Sequence, residues 1–198
     1  MNRMRSSRVQ AGFTMIEVLV TLVILLIGLL GLAALQSRAQ VLETESYQRT
    51  QALVLLRDVA GRISANRIDA ATYVTGTTTP LGQGSGVDCS PSGTPPTTTA
   101  GRDLCEWDAA LKGAAEASGG ACAANGTNCV GAMLGARGCI TSPAANQYLV
   151  AVVWQGMAPT AAPPASVVCG QNLYGSSTGI DDTLRRAVTT VVQFGNLN

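Results

Sequence analysis

The feature that most constrains this chain is an apolar run near its N-terminus. From Val18 to Leu35 the only polar side chain is Thr21, so the run reaches the lower limit of about 17 residues for a helix that spans a bilayer. Arg3, Arg5 and Arg8 precede it, and none of the first twelve residues is acidic, which should hold that end in the cytoplasm. Everything after Leu35 then lies outside. No proline occurs before Pro80, so the helix can continue past the membrane. Beyond Arg38 the pattern turns amphipathic: Ala52, Leu55, Leu56, Val59 and Ile63 share one helix face, and Arg57, Asp58 and Gly61 fall away from it. A helix over 14–66 would be about 80 Å long at 1.5 Å per residue.

A secretory signal is ordinarily cut after its apolar run and lost. Here the small residue, Gly12, stands before the run and is followed by Phe13-Thr14-Met15-Ile16-Glu17. This order of short basic leader, glycine, aromatic, glutamate and apolar helix resembles the type IV prepilin signature. The resemblance implies that a prepilin peptidase cuts between Gly12 and Phe13 and that Phe13 becomes an N-methylated terminus. It also implies that Glu17 is the family's fifth-position glutamate, which acts in assembly. The rival is an uncleaved single-pass anchor. Glu17 argues against it, because a carboxylate carried to the bilayer centre costs about 2.5–3.5 kcal/mol and such residues serve a purpose. On the pilin reading, residues 1–12 are a removed leader and 13–35 the transmembrane half of the helix. Residues 36–66 are its amphipathic half, and 67–198 form a periplasmic head.

Leader removal takes three of the 13 basic residues and none of the 12 acidic ones, so bulk charge gives no reason to expect nucleic-acid binding. The chain has no histidine, no G-x-S-x-G elbow, no phosphate-cradling glycine loop and no calcium-loop spacing of aspartates. No enzymatic role, cofactor or metal is expected. Cys89, Cys105, Cys122, Cys129, Cys139 and Cys169 all lie beyond the apolar run, which suits disulfides in an oxidising periplasm. Zinc is the competing reading, but histidine and C-x-x-C pairs are both missing. Six cysteines permit 15 pairings, and the sequence does not choose among them. Cys122 and Cys129 flank the turn-forming Asn125-Gly126, which makes a local bridge the best single candidate.

Residues 75–101, rich in threonine, glycine, serine and proline, read as a long surface loop. Asp103 and Glu106 have capping-box spacing, and Leu104, Trp107, Leu111 and Ala114 recur at helical intervals until Gly119-Gly120. A second helix is expected over 103–118, with Trp107 in the core. The last third reads as β: a near-continuous apolar strand over 148–154, a β-branched strand over 186–194, and shorter strands around Cys139-Ile140 and Val167-Val168-Cys169. Residues 155–164 read as a loop. The fold class expected is α+β, a long N-terminal helix packed on an antiparallel sheet of about four strands.

Trp107, Leu111, the strand running to Gly156, Cys169-Gly170 and Arg185-Arg186 resemble the PilV-type minor pilins, the type IV pilus modification proteins. The resemblance implies a low-abundance, single-pass inner-membrane subunit with a periplasmic head. Such a subunit joins other minor pilins and the major pilin, helps start assembly and ends near the tip of the surface pilus, with a tip adhesin as a further candidate partner. Two other readings stay open. A pseudopilin of the type II secretion system shares the signature and the mixed α/β head. A surface binding module, an adhesin or DNA-uptake pilin, would use the loops from Thr75 or Ala158.

Overall fold

The computed structural model describes residues 12–84, 96–113, 133–174 and 182–195. The chain divides into two compact units, Met1–Glu43 and Thr44–Asn198, and helix α1, Met15–Ala65, runs through the boundary. In the first unit every described residue is exposed, the whole apolar run included. By length and composition this part of α1 can cross a membrane, and none of its most apolar stretch is buried within the chain. A helix satisfies its own backbone hydrogen bonds, so an apolar one is at home in lipid.

In the second unit α1 buries Gln48, Ala52, Leu56, Val59 and Ile63, one stripe at intervals of three and four residues. The stripe shares a core with Tyr148, Val150, Val152 and Trp154 of the long central strand. Four antiparallel strands form the sheet in chain order: β1 Gly76–Gly82, β2 Arg137–Ala144, β3 Gln147–Gln155 and β4 Arg185–Gln193. This is the α+β architecture expected from the sequence. Alternate β3 side chains point to opposite faces. Ala151 and Val153, on the face away from α1, join Cys139, Cys169 and Tyr174 in a second apolar cluster. Cover on both faces explains why β3 lacks polar alternation. The β2–β3 hairpin turns at Ala145-Asn146, with Asn146 at φ 56°, a left-handed conformation asparagine tolerates.

Three local expectations need correction. Residues 75–101 are not all loop: β1 occupies 76–82, and 85–95 lie outside the described residues. β1 is an edge strand with one hydrogen-bonded neighbour, an irregular register and Pro80, which an edge tolerates. Helix α2 spans Thr99–Leu111, starting four residues before 103, and residues 114–118 of the expected helix lie outside the described residues. Its N-cap is Thr98, whose hydroxyl accepts from the Gly101 N–H at 3.1 Å, so Asp103 and Glu106 are free for other contacts. The segment around Val167–Cys169 forms turns and no strand. A disulfide joins Cys169 to Cys139 of β2, and the next residue, Gly170, takes φ +62°, where extended backbone cannot continue.

Trp107 is fully buried, as expected. Its indole N–H donates to the Leu55 carbonyl of α1 at 3.1 Å, and its ring lies on the backbone of Gly138 in β2. A Cβ at 138 would meet the ring at 2.3 Å, so only glycine permits this packing of α2 between helix and sheet.

Candidate assembly site

The N-terminal residues singled out by the sequence form one exposed cluster. Among the described residues, no atom beyond its chain neighbours lies within 4 Å of where a Cβ on Gly12 would stand, and Phe13 is 84% exposed, so no other described residue covers the backbone between them. Thr14 starts the helix: its carbonyl accepts from the Val18 N–H at 3.3 Å, and its hydroxyl lies 3.4 Å from the Glu17 N–H. Glu17 occupies the first turn of α1, where a carboxylate is favoured by the orphan N–H groups and the helix dipole. Thr14 and Glu17 have the spacing of a capping box. The reciprocal bond is not made, however: among the described residues no hydrogen bond or ion pair reaches the Glu17 carboxylate. The charge sits on the first turn of α1, at the head of its exposed apolar stretch, and has no partner among the described residues.

Several charged residues of the head, by contrast, pair with one another. Arg62 on α1 meets Asp58 at 3.0 Å and reaches across to Asp103 at 3.0 Å and Glu106 at 2.5 Å on α2. The Glu106 contact first, with help from Asp103 and Asp58 and against partial burial, pushes the guanidinium pKa above its ordinary value. Tyr73 also donates to Asp103; burial and this carboxylate raise the phenol pKa. On α2, Asp108 pairs with Lys112 at 2.5 Å while its other oxygen accepts from the Gly82 N–H of β1 at 2.7 Å.

Two successive arginines bind the β3–β4 connection. Arg186 meets Glu45 of α1 at 3.1 Å and donates to the Ala158 carbonyl at 2.6 Å, while Glu45 also accepts from the Met157 N–H at 3.0 Å. The guanidinium passes over Gly156, where a Cβ would come within 2.6 Å of it. Arg185, 1% exposed, pairs with Asp182 at 3.0 Å and donates to the carbonyls of Val167 and Cys169. Asp182 in turn accepts from the Asn172 N–H at 2.9 Å, which fastens the disulfide-bearing turn to β4.

Of the six candidate cysteines, Cys139 and Cys169 are bonded to each other with Cα atoms 5.8 Å apart, and Cys105 is also disulfide-bonded. Cys89, Cys122 and Cys129, and with them the Cys122–Cys129 bridge, lie outside the described residues. The sequence reading missed the roles of Arg62, Glu45 and Asp182. Their only signal was a charge standing beside apolar helix or strand positions, and long-range partners cannot be read from that.

Comparison with known families gives two adjacent matches, the second beginning within the first compact unit. Residues 7–33 match the prokaryotic N-terminal methylation motif, and residues 34–110 match the family model described as Type IV pilin Tt1218. Searches among curated proteins and among solved structures gave no match. The methylation motif runs without a gap into the pilin match, along the same helix that packs on the antiparallel sheet, and the chain belongs to the type IV pilins.

Proposed function

We propose that this pilin is a minor subunit of the PilV type, which joins other minor pilins in the inner membrane and helps start the fibre, ending near its tip. The observation that carries the assembly role is the Glu17 carboxylate, without a partner among the described residues and at the head of the exposed apolar stretch of α1. Cleavage after Gly12 would give Phe13 a cationic amino end, and N-methylation keeps that charge at neutral pH. Each charge alone is costly among packed apolar helices, whereas pairing the amine of one subunit with Glu17 of its neighbour offsets much of that cost. Helices packed out of step leave both charges unmatched, so the pair selects axial register more than it adds strength. The cut itself is a prepilin peptidase's work, and its site is the exposed Gly12–Phe13 bond.

The minor, initiating role is supported by the motifs shared with PilV-type proteins in α2, β3 and the Arg185-Arg186 entry to β4. Deleting the gene tests it. Surface pili should fall in number while the major pilin accumulates in the membrane. A normal pilus count with failed export of a folded protein would instead assign the chain to a secretion pseudopilus.

A further inference from the structure

Four arginines of the second unit are buried or half-buried: Arg62, Arg137, Arg185 and Arg186. Three are neutralised by carboxylates, Arg62 by Asp58, Asp103 and Glu106, Arg185 by Asp182, and Arg186 by Glu45. Arg137, at the start of β2, is the exception: among the described residues no carboxylate reaches it. Its Nη1 donates to the Gly135 carbonyl at 3.2 Å, and its guanidinium lies over the Tyr174 ring, 4.9 Å from the centroid. Those contacts fix its position without neutralising its charge. A guanidinium has five N–H donors, and a carbonyl and a ring face use few of them.

Arg137 lines a cavity of about 780 Å³ between β1 and α2, whose other walls include Thr79, Pro80, Leu81, Leu104 and Leu173. This volume falls within the range of small-molecule sites, which are apolar enclosures with a few fixed polar groups. The ring beneath and the carbonyl beside the guanidinium preorganise it, which lowers the entropic cost of capturing a ligand. A planar guanidinium matches a carboxylate through two parallel hydrogen bonds. One cation suits a single negative charge, and the leucine and proline walls suit a hydrocarbon or aromatic body.

We propose that this cavity is a binding site for a small monocarboxylic acid with an apolar body, its carboxylate on Arg137 and its body against Leu81 and Leu104. The test uses the full chain in lipid nanodiscs, titrated with 4-phenylbutyrate and, separately, with 4-phenylbutanol, empty nanodiscs serving as the blank. The acid should bind saturably, and the alcohol about tenfold or more weaker, a difference of about 1.4 kcal/mol or more. Arg137→Gln should reduce acid affinity to that of the alcohol. Arg137→Lys, which keeps the charge and loses the fork, should fall between. Thermal melting of each variant distinguishes lost binding from lost folding, and Leu104→Phe, which fills the cavity and leaves the charge alone, should also weaken the acid. Equal binding of acid and alcohol, undiminished acid binding by Arg137→Gln in a folded protein, or no saturable binding into the millimolar range would overturn the proposal. So would capture of a Leu-Glu-Leu peptide without capture of the acid, which would assign the site to a protein partner.

Discussion

The Arg185 guanidinium is deeply buried, its Nη atoms meet Asp182 and two carbonyls while its Nε has no hydrogen-bond partner among the described residues, and Asp182 supplies the only carboxylate among its described contacts. Removing one partner of a buried pair leaves an uncompensated charge and costs about 3–5 kcal/mol. Asp182 has φ 56°, so asparagine, which tolerates that conformation, separates the charge from the backbone. Asp182→Asn should therefore lower head stability by about 3 kcal/mol or more in denaturant unfolding. Glu106→Ala should cost under about 1 kcal/mol, because that side chain is 64% exposed and Arg62 keeps Asp58 and Asp103. Equal losses from the two variants would contradict this ranking. Tyr174 makes a pH prediction. Its hydroxyl donates to the Gly135 carbonyl at 2.6 Å, and burial raises its pKa above the ordinary tyrosine value, as it does for Tyr73. A neutral phenol held in the folded state stabilises fully below pH about 10, where unfolded tyrosine is also neutral. As the pH climbs from there through the raised folded pKa, that contribution is lost, because the unfolded chain ionises first. Melting temperature should fall above pH about 10, and Tyr174→Phe should flatten the decline while lowering stability at neutral pH. A decline of unchanged steepness in Tyr174→Phe would assign it to other groups.

Among the elements, those with a repeating pattern were legible before any coordinates. The α1 stripe from Ala52 to Ile63 has helical spacing, and β3 and β4 are long enough and β-branched enough to declare themselves. β1 was hidden because its threonines lack apolar alternation, with Leu81 its only buried large apolar side chain and β2 its only paired neighbour. The start of α2 was misplaced because Asp103 and Glu106 share capping-box spacing with any pair on one helix face. In the fold they share that face to reach Arg62. Around Val167 β-branched residues suggested a strand, but the cross-link of Cys169 to Cys139 and the left-handed Gly170 override propensity. The disulfide joins residues 30 apart in sequence and backs the apolar cluster on the outer face of β3. Loss of such a link costs about 2–5 kcal/mol. Cys139→Ser paired with Cys169→Ser should lower the melting temperature of the head markedly, leaving the α1 face of the sheet the more protected in hydrogen exchange. An unchanged melting temperature would show that the Arg185–Asp182 contacts alone hold the turn.

At the scale of the whole molecule, one unit is built to finish its own interactions and the other to leave them open. The head neutralises most of its buried cations and covers both faces of β3. The N-terminal unit buries none of its described residues, and its one carboxylate near the membrane run has no partner among the described residues. The signature residues Gly12, Phe13 and Glu17 were legible because linear order alone defines that motif. The head's ion pairs were not, because they join residues as far apart as Glu45 and Arg186. The two units call for different partners, lipid and other pilins for the first, and the chain's own loops for the second. Glu17 is where this account is most exposed. The direct measurement is recovery of other minor pilins with detergent-solubilised Glu17→Ala, beside a count of surface pili. The variant should be membrane-inserted and cleaved to Phe13 by intact mass, yet recover few partners and support few pili, with Glu17→Asp restoring part of both. Wild-type recovery of partners and a normal pilus count with Glu17→Ala would contradict the assembly role.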